Sequence, residues 1–218
     1  MPSDAKPLIQ KAYRPIPGWS LLIFPVACAM LAPLIGWFLP HPPGMLPILG
    51  AFFAIGFLAV IVAVAPLGRA AFPALGLRAV PWKYLVFGPL ATLVLSVAVS
   101  QLGIEPQGMK QVIEFVPRQV VPSLLLLAVL APLVEELVFR GLIYGWVAGR
   151  WGTMAALIVS SLAFAAAHFE PAHIVLVLPL GLLFGWMRRR TDSLLPSLVS
   201  HVLNNGFALL AAVYLPGV

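Results

Sequence analysis

Five side chains restrict the chemistry open to this chain: Glu135, Glu136, Arg140, His168 and His201, each set inside a long apolar segment. Asn204 and Asn205 accompany the last of them. Ionisable groups in such surroundings are costly and mark function by default. Several hydrolytic centres are excluded by residue type. The only aspartates, Asp4 and Asp192, flank the apolar segments, so an intramembrane aspartyl dyad is ruled out. Lys6, Lys11, Lys83 and Lys110 lie in polar stretches, which rules out a serine–lysine dyad. Neither His-Glu-x-x-His nor Gly-x-Ser-x-Gly occurs. Glutamate and histidine remain as the groups able to move a proton.

Glu135 and Glu136 are adjacent, and at about 100° per residue they point in different directions on a helix. Glu136 and Arg140 are four apart with the acid first, the favoured order for an ion pair. Glu135 has no such local cation, and a buried carboxylate of that kind suits a general base near neutral pH. Pro132, one turn earlier, removes a helix bond to the carbonyl of Ala128 and can open the helix. The plain alternative is structural: Glu136 and Arg140 tie helices together, and each histidine is a satisfied core residue. His168 follows Phe164 at four residues across Ala165-Ala166-Ala167, small residues that permit close helix approach. His201 and Asn205 share a helix face at i, i+4.

The elements that must position these groups follow from composition. Of 218 residues, 61% are hydrophobic and 9% charged, against about 25% charged in a water-soluble domain. Lipid must therefore cover much of the surface, and the fold expected is an all-α bundle of about seven membrane spans. They read as 19–39, 45–67, 84–102, 120–147, 152–168, 172–187 and 193–215. Residues 1–18 form a polar tail, 19–119 the first three spans and an interfacial segment, and 120–218 a unit holding all the buried polar groups. Counted from the basic helix ends, Glu135 lies about 18 Å deep, His168 about 24 Å and His201 about 12 Å; tilts of about 20° cover that spread.

The net charge of +6 is distributed in loops. Lys6, Lys11, Arg14, Arg69, Arg78, Lys83, Arg150, Arg188, Arg189 and Arg190 fall on one side; Lys110 and Arg118, with Glu105, Glu114 and Glu170, fall on the other. The positive-inside rule then places the N-terminus in the cytoplasm and the C-terminus outside, and it accounts for the charge without nucleic acid. Met109, Val112, Ile113 and Phe115 among charges suggest an interfacial amphipathic helix. Cys28 reads as filler within a retained span, and Glu170 and His173 as solvated loop residues.

Three motifs in order, Glu135-Glu136-Leu137-Val138-Phe139-Arg140, Phe164 to His168, and His201 to Asn205, resemble the CAAX-protease and bacteriocin-processing (Abi) family of intramembrane glutamate endopeptidases. Ser193-Leu194-Leu195-Pro196-Ser197 is similar to the family too. The resemblance implies an endopeptidase without a cofactor, in a prokaryotic plasma membrane. Its substrate would be a peptide or protein, including one with an apolar or lipidated tail. Glu135 and His168 would activate water, His201 and Asn205 would hold the oxyanion, and Glu136 with Arg140 would orient Glu135. Two alternatives stay open at this point. One is a zinc site of His168, His201 and a glutamate; the other is a non-catalytic transporter or immunity protein.

Overall fold

The computed structural model describes residues 16–38 and 44–215, and every regular element among them is helical. Helix α1 (Gly18–Phe38) and α2 (Met45–Val64) form an apolar pair joined by Ser20, whose hydroxyl donates to the carbonyl of Ala63 at 3.0 Å. Helix α3 (Lys83–Ser100) follows, then the short α4 (Gln107–Phe115). Met109, Val112, Ile113 and Phe115 lie on α4, with their side chains outside the described ones. Of the polar tail expected over 1–18, only the last three residues are described; Lys6, Lys11 and Arg14 fall outside. Ile16 is fully buried, so the chain is already anchored to the core before α1 begins.

Among the described residues six helical stretches are long and apolar enough to cross a membrane, where the sequence suggests seven spans. The difference lies at 120–147 and 152–168, which fall in one helical stretch, Val120–Ala166. Gly152, at φ 84° and ψ 168°, is not helical and breaks that stretch. The break folds the chain back: the rings of Phe139 and Phe164 are 5.5 Å apart, whereas one straight helix would separate them by about 37 Å. The two segments are α5, over 120–151, and α6, over 153–166. Helices α7 (Pro171–Thr191) and α8 (Leu195–Tyr214) complete the bundle.

Two features of α5 bear on the site. Residues 124–130 and 137–143 are wound as π-helix, with i to i+5 bonding, a local widening common at functional sites. In that winding the carbonyl left without a donor by Pro132 is that of Leu127, five residues before it, rather than that of Ala128. Glycines then bring α7 against α6. A Cβ at Gly185 would stand 2.8 Å from Ser161 Oγ, and one at Gly181 would stand 3.0 Å from the Phe164 ring. Small residues are what such close crossings require in a bilayer. The chain is a multi-pass integral membrane protein.

Candidate active site

Glu136 and Arg140 are 0% exposed and sit one turn apart on α5, with Oε1 3.1 Å from Nη1. The approach is a charge contact rather than an in-line hydrogen bond, since Arg140 Nε and Nη1 have no hydrogen-bond partner among the described residues. Nη2 donates to the carbonyl of Gly181 at 2.9 Å, and the guanidinium lies 4.4 Å from the Phe164 ring and 5.4 Å from that of Phe184. Ser197, in the first turn of α8, donates its hydroxyl to Glu136 Oε2 at 2.6 Å. The pair therefore links α5, α6, α7 and α8.

His201 lies between the two glutamates. Its Nδ1 is 3.3 Å from Glu136 Oε1, and its Nε2 is 3.6 Å from Glu135 Oε2. Glu135, which has no cation on its own helix face, thus has an imidazole neighbour from α8. It is 22% exposed at the side chain. His168, just past α6, places Nδ1 3.0 Å from the carbonyl of Phe164. A carbonyl only accepts, so Nδ1 carries the proton and Nε2 keeps a lone pair. Asn205 donates through Nδ2 to the carbonyl of Leu127 at 3.1 Å. That is the acceptor released by Pro132 and the π winding, so Asn205 satisfies a buried backbone group that would otherwise be costly.

Glu135, His168, His201 and Asn205 all line one cavity of about 370 Å³, with Phe164 and Asn204 beside them. Leu176, Val177, Leu180 and Phe53 make much of the remaining wall. Glu136 and Arg140 stand behind this surface and do not line it. The groups expected to meet are therefore brought together from α5, α8 and the end of α6.

Three expectations need correction. His173 is not a solvated loop residue: it lies in the first turn of α7, lines the cavity and sets its ring 4.5 Å from that of His168. Its position inside the apolar segment 172–187 was the available signal. Glu170 is partly exposed, as a loop residue would be, but it is not free. Its carboxylate accepts the backbone N–H of Gln107 at 2.6 Å and of Gly108 at 3.2 Å, holding the start of α4 beside the cavity. Arg188, read as a loop charge, is fully buried; its Nε donates to the carbonyl of Arg140 at 3.1 Å and its Nη1 to Asp192 at 2.9 Å. Arg78 pairs with the same carboxylate from the loop before α3. For the zinc alternative, the described histidine, cysteine, aspartate and glutamate side chains include no group of three placed to hold a metal ion.

Comparison with known proteins points the same way. Residues 117–207 match the family model described as type II CAAX prenyl endopeptidase Rce1-like. The chain is 26% identical over 104 residues to the putative membrane peptidase YdiL of Bacillus subtilis, covering 48% of this chain and 41% of that one. It is 29% identical over 143 residues to the membrane-embedded CAAX protease MroQ of Staphylococcus aureus, covering 60% and 57%. The match spans about half the length of these relatives. No solved structure matches the chain. Over the segment that carries all three motifs, this integral membrane protein is similar to the Rce1-like type II CAAX prenyl endopeptidases, the resemblance its motifs indicate.

Proposed function

We propose that the chain is an intramembrane endopeptidase that hydrolyses a peptide bond with a water activated by Glu135 and His168. The observation that carries this reading is the convergence of Glu135, His168, His201 and Asn205 on one cavity from separate helices. Water enters beside the Glu135 carboxylate, which takes one of its protons as the oxygen attacks the scissile carbonyl carbon. The Nε2 lone pair of His168 can accept the same water's second hydrogen as a hydrogen bond and so orient it. The carbonyl π electrons move onto oxygen, where a doubly protonated His201, with Nδ1–H on Glu136 and Nε2–H toward the site, and the second amide proton of Asn205 serve as donors. Collapse breaks the C–N bond, and the proton held by Glu135 passes to the departing amine. Glu136, anchored by Arg140 and Ser197, fixes the His201 ring and with it the geometry around Glu135.

The apolar wall suits a peptide carrying an apolar stretch, and the resemblance to CAAX proteases favours C-terminal processing. The basic loops favour a cytoplasmic N-terminus. The test is reconstitution of purified chain in liposomes with peptides of apolar C-terminus, read by mass spectrometry for a new chain end. Wild type should generate products, and His168→Ala and His201→Ala should not. Cleavage at the wild-type rate by either variant would contradict the role assigned to that histidine.

A further inference from the structure

Asn204 occupies a position that no motif claims. It follows His201 by three residues on α8, lines the cavity and is only 8% exposed. Its Oδ1 is buried with no hydrogen-bond partner among the described residues. Other buried side chains share that condition, among them Ser123, Tyr144 and Trp146, but Asn204 alone of those also lines the cavity. A buried polar atom without a partner is expensive and is retained where something else supplies the partner. Its neighbour Asn205 has already committed an amide proton to the Leu127 carbonyl. With the second proton of Asn205 directed at the oxyanion, the Asn204 amide, with its orphaned Oδ1, is free for another part of the substrate.

We infer that Asn204 is a substrate-binding residue, whose side-chain amide pairs with a backbone peptide group of the substrate next to the scissile bond. This rests on the chain being an endopeptidase. A side-chain amide carries two donors and one acceptor, so it matches a peptide group's carbonyl and N–H together. Its terminal torsion is broad, and rotation exchanges which end faces the cavity. Consecutive residues on a helix point about 100° apart. Asn205 and Asn204 therefore address different positions along an extended substrate, in which neighbouring peptide groups are about 3.3 Å apart. Asn205 stands with His201 at the scissile carbonyl, and Asn204 takes the flanking group. A contact made equally in ground and transition states appears in KM rather than kcat.

The test uses the full-length chain in liposomes and a set of peptides that differ only in one backbone amide replaced by an ester, scanned along the sequence. Each ester removes one N–H and weakens one carbonyl acceptor. Wild type should discriminate against the ester at one flanking position by about 10- to 100-fold in KM, and Asn204→Leu should erase that discrimination while kcat changes less than about 3-fold. Asn204→Asp keeps the shape and the acceptor but loses the NH₂ donors, so it should retain the discrimination that reads the substrate N–H and lose that which reads its carbonyl, which separates lost recognition from a disturbed fold. Affinity of the same peptides for the Glu135→Gln chain, with and without Asn204→Leu, reads the contact without any cleavage. If the flanking ester costs the same in both backgrounds, Asn204 does not bind substrate, although cleavage by wild type would leave the endopeptidase reading standing. If wild type cleaves nothing and no peptide binds, both readings fall.

Discussion

Replacing Glu136 by glutamine removes one charge from a fully buried pair while leaving the side chain's size and one acceptor oxygen. Ser197 and His201 can still be accommodated, at 2.6 and 3.3 Å in the native chain. Arg140 cannot be neutralised so readily. Its guanidinium keeps the Gly181 carbonyl and the faces of Phe164 and Phe184, each aromatic face contributing roughly 0.5–2 kcal/mol. Breaking a buried pair costs about 3–5 kcal/mol in soluble proteins. The surviving contacts, and the off-line geometry of the Nη1 approach, lower the expected loss to about 2–4 kcal/mol. For a chain of this size that is a fall in Tm of roughly 4–16 °C. Glu135→Gln removes only a 3.6 Å contact from a partly exposed side chain and should cost less than about 1 kcal/mol. Both variants should lose proteolysis, but only Glu136→Gln should melt early when thermal unfolding is followed in detergent micelles. Adding Arg140→Leu to Glu136→Gln should recover part of the stability and little of the activity. If the two glutamine variants are equally stable and equally inactive, the division into a base and a supporting ion pair is wrong.

Three further outcomes are expected. A reporter fused to the C-terminus should be active only outside the cytoplasm; activity confined to the cytoplasm would reverse the orientation. Chelators should leave peptide cleavage intact, whereas loss on metal removal with recovery on adding zinc would replace the glutamate mechanism. Gly185→Ala should destabilise the chain by about 1–3 kcal/mol, because the new methyl meets Ser161 Oγ at 2.8 Å and Leu157 on two sides; an unchanged unfolding midpoint would mean that α6 and α7 are not so closely apposed.

The spans and the polar wall of the site are legible in sequence because both depend on local pattern. Apolar length gives the helices, and i, i+4 spacing places Glu136 against Arg140 and His201 beside Asn205 on α8. Relations between helices are less legible. Nothing in the spacing of Glu135 and His201 says that one imidazole would stand between two adjacent carboxylates, since that depends on how α8 crosses α5. The π winding of α5 is equally hidden, and it decides that Asn205 meets Leu127 rather than Ala128. Arg188 looks like a loop charge in a run of three arginines, yet its stem extends from α7 into the protein beneath Arg140. His173 and Glu170 mislead for the opposite reason: a turn with Phe169 at φ 58° directs the chain after His168 back toward the cavity, and no residue in that turn is a glycine that would advertise it.

Whether Glu135 supplies the base for peptide hydrolysis, in the cavity it shares with His168, His201 and Asn205, can be read from a single turnover. Enzyme in liposomes is held in excess over a peptide that the wild type cleaves, and wild type is compared with Glu135→Gln at matched folded protein. A base at Glu135 requires cleavage within the first turnover for wild type and a rate at least about 100-fold lower for the variant, with peptide affinity unchanged within a few-fold. A Glu135→Gln chain that cleaves at a rate comparable to wild type would contradict it.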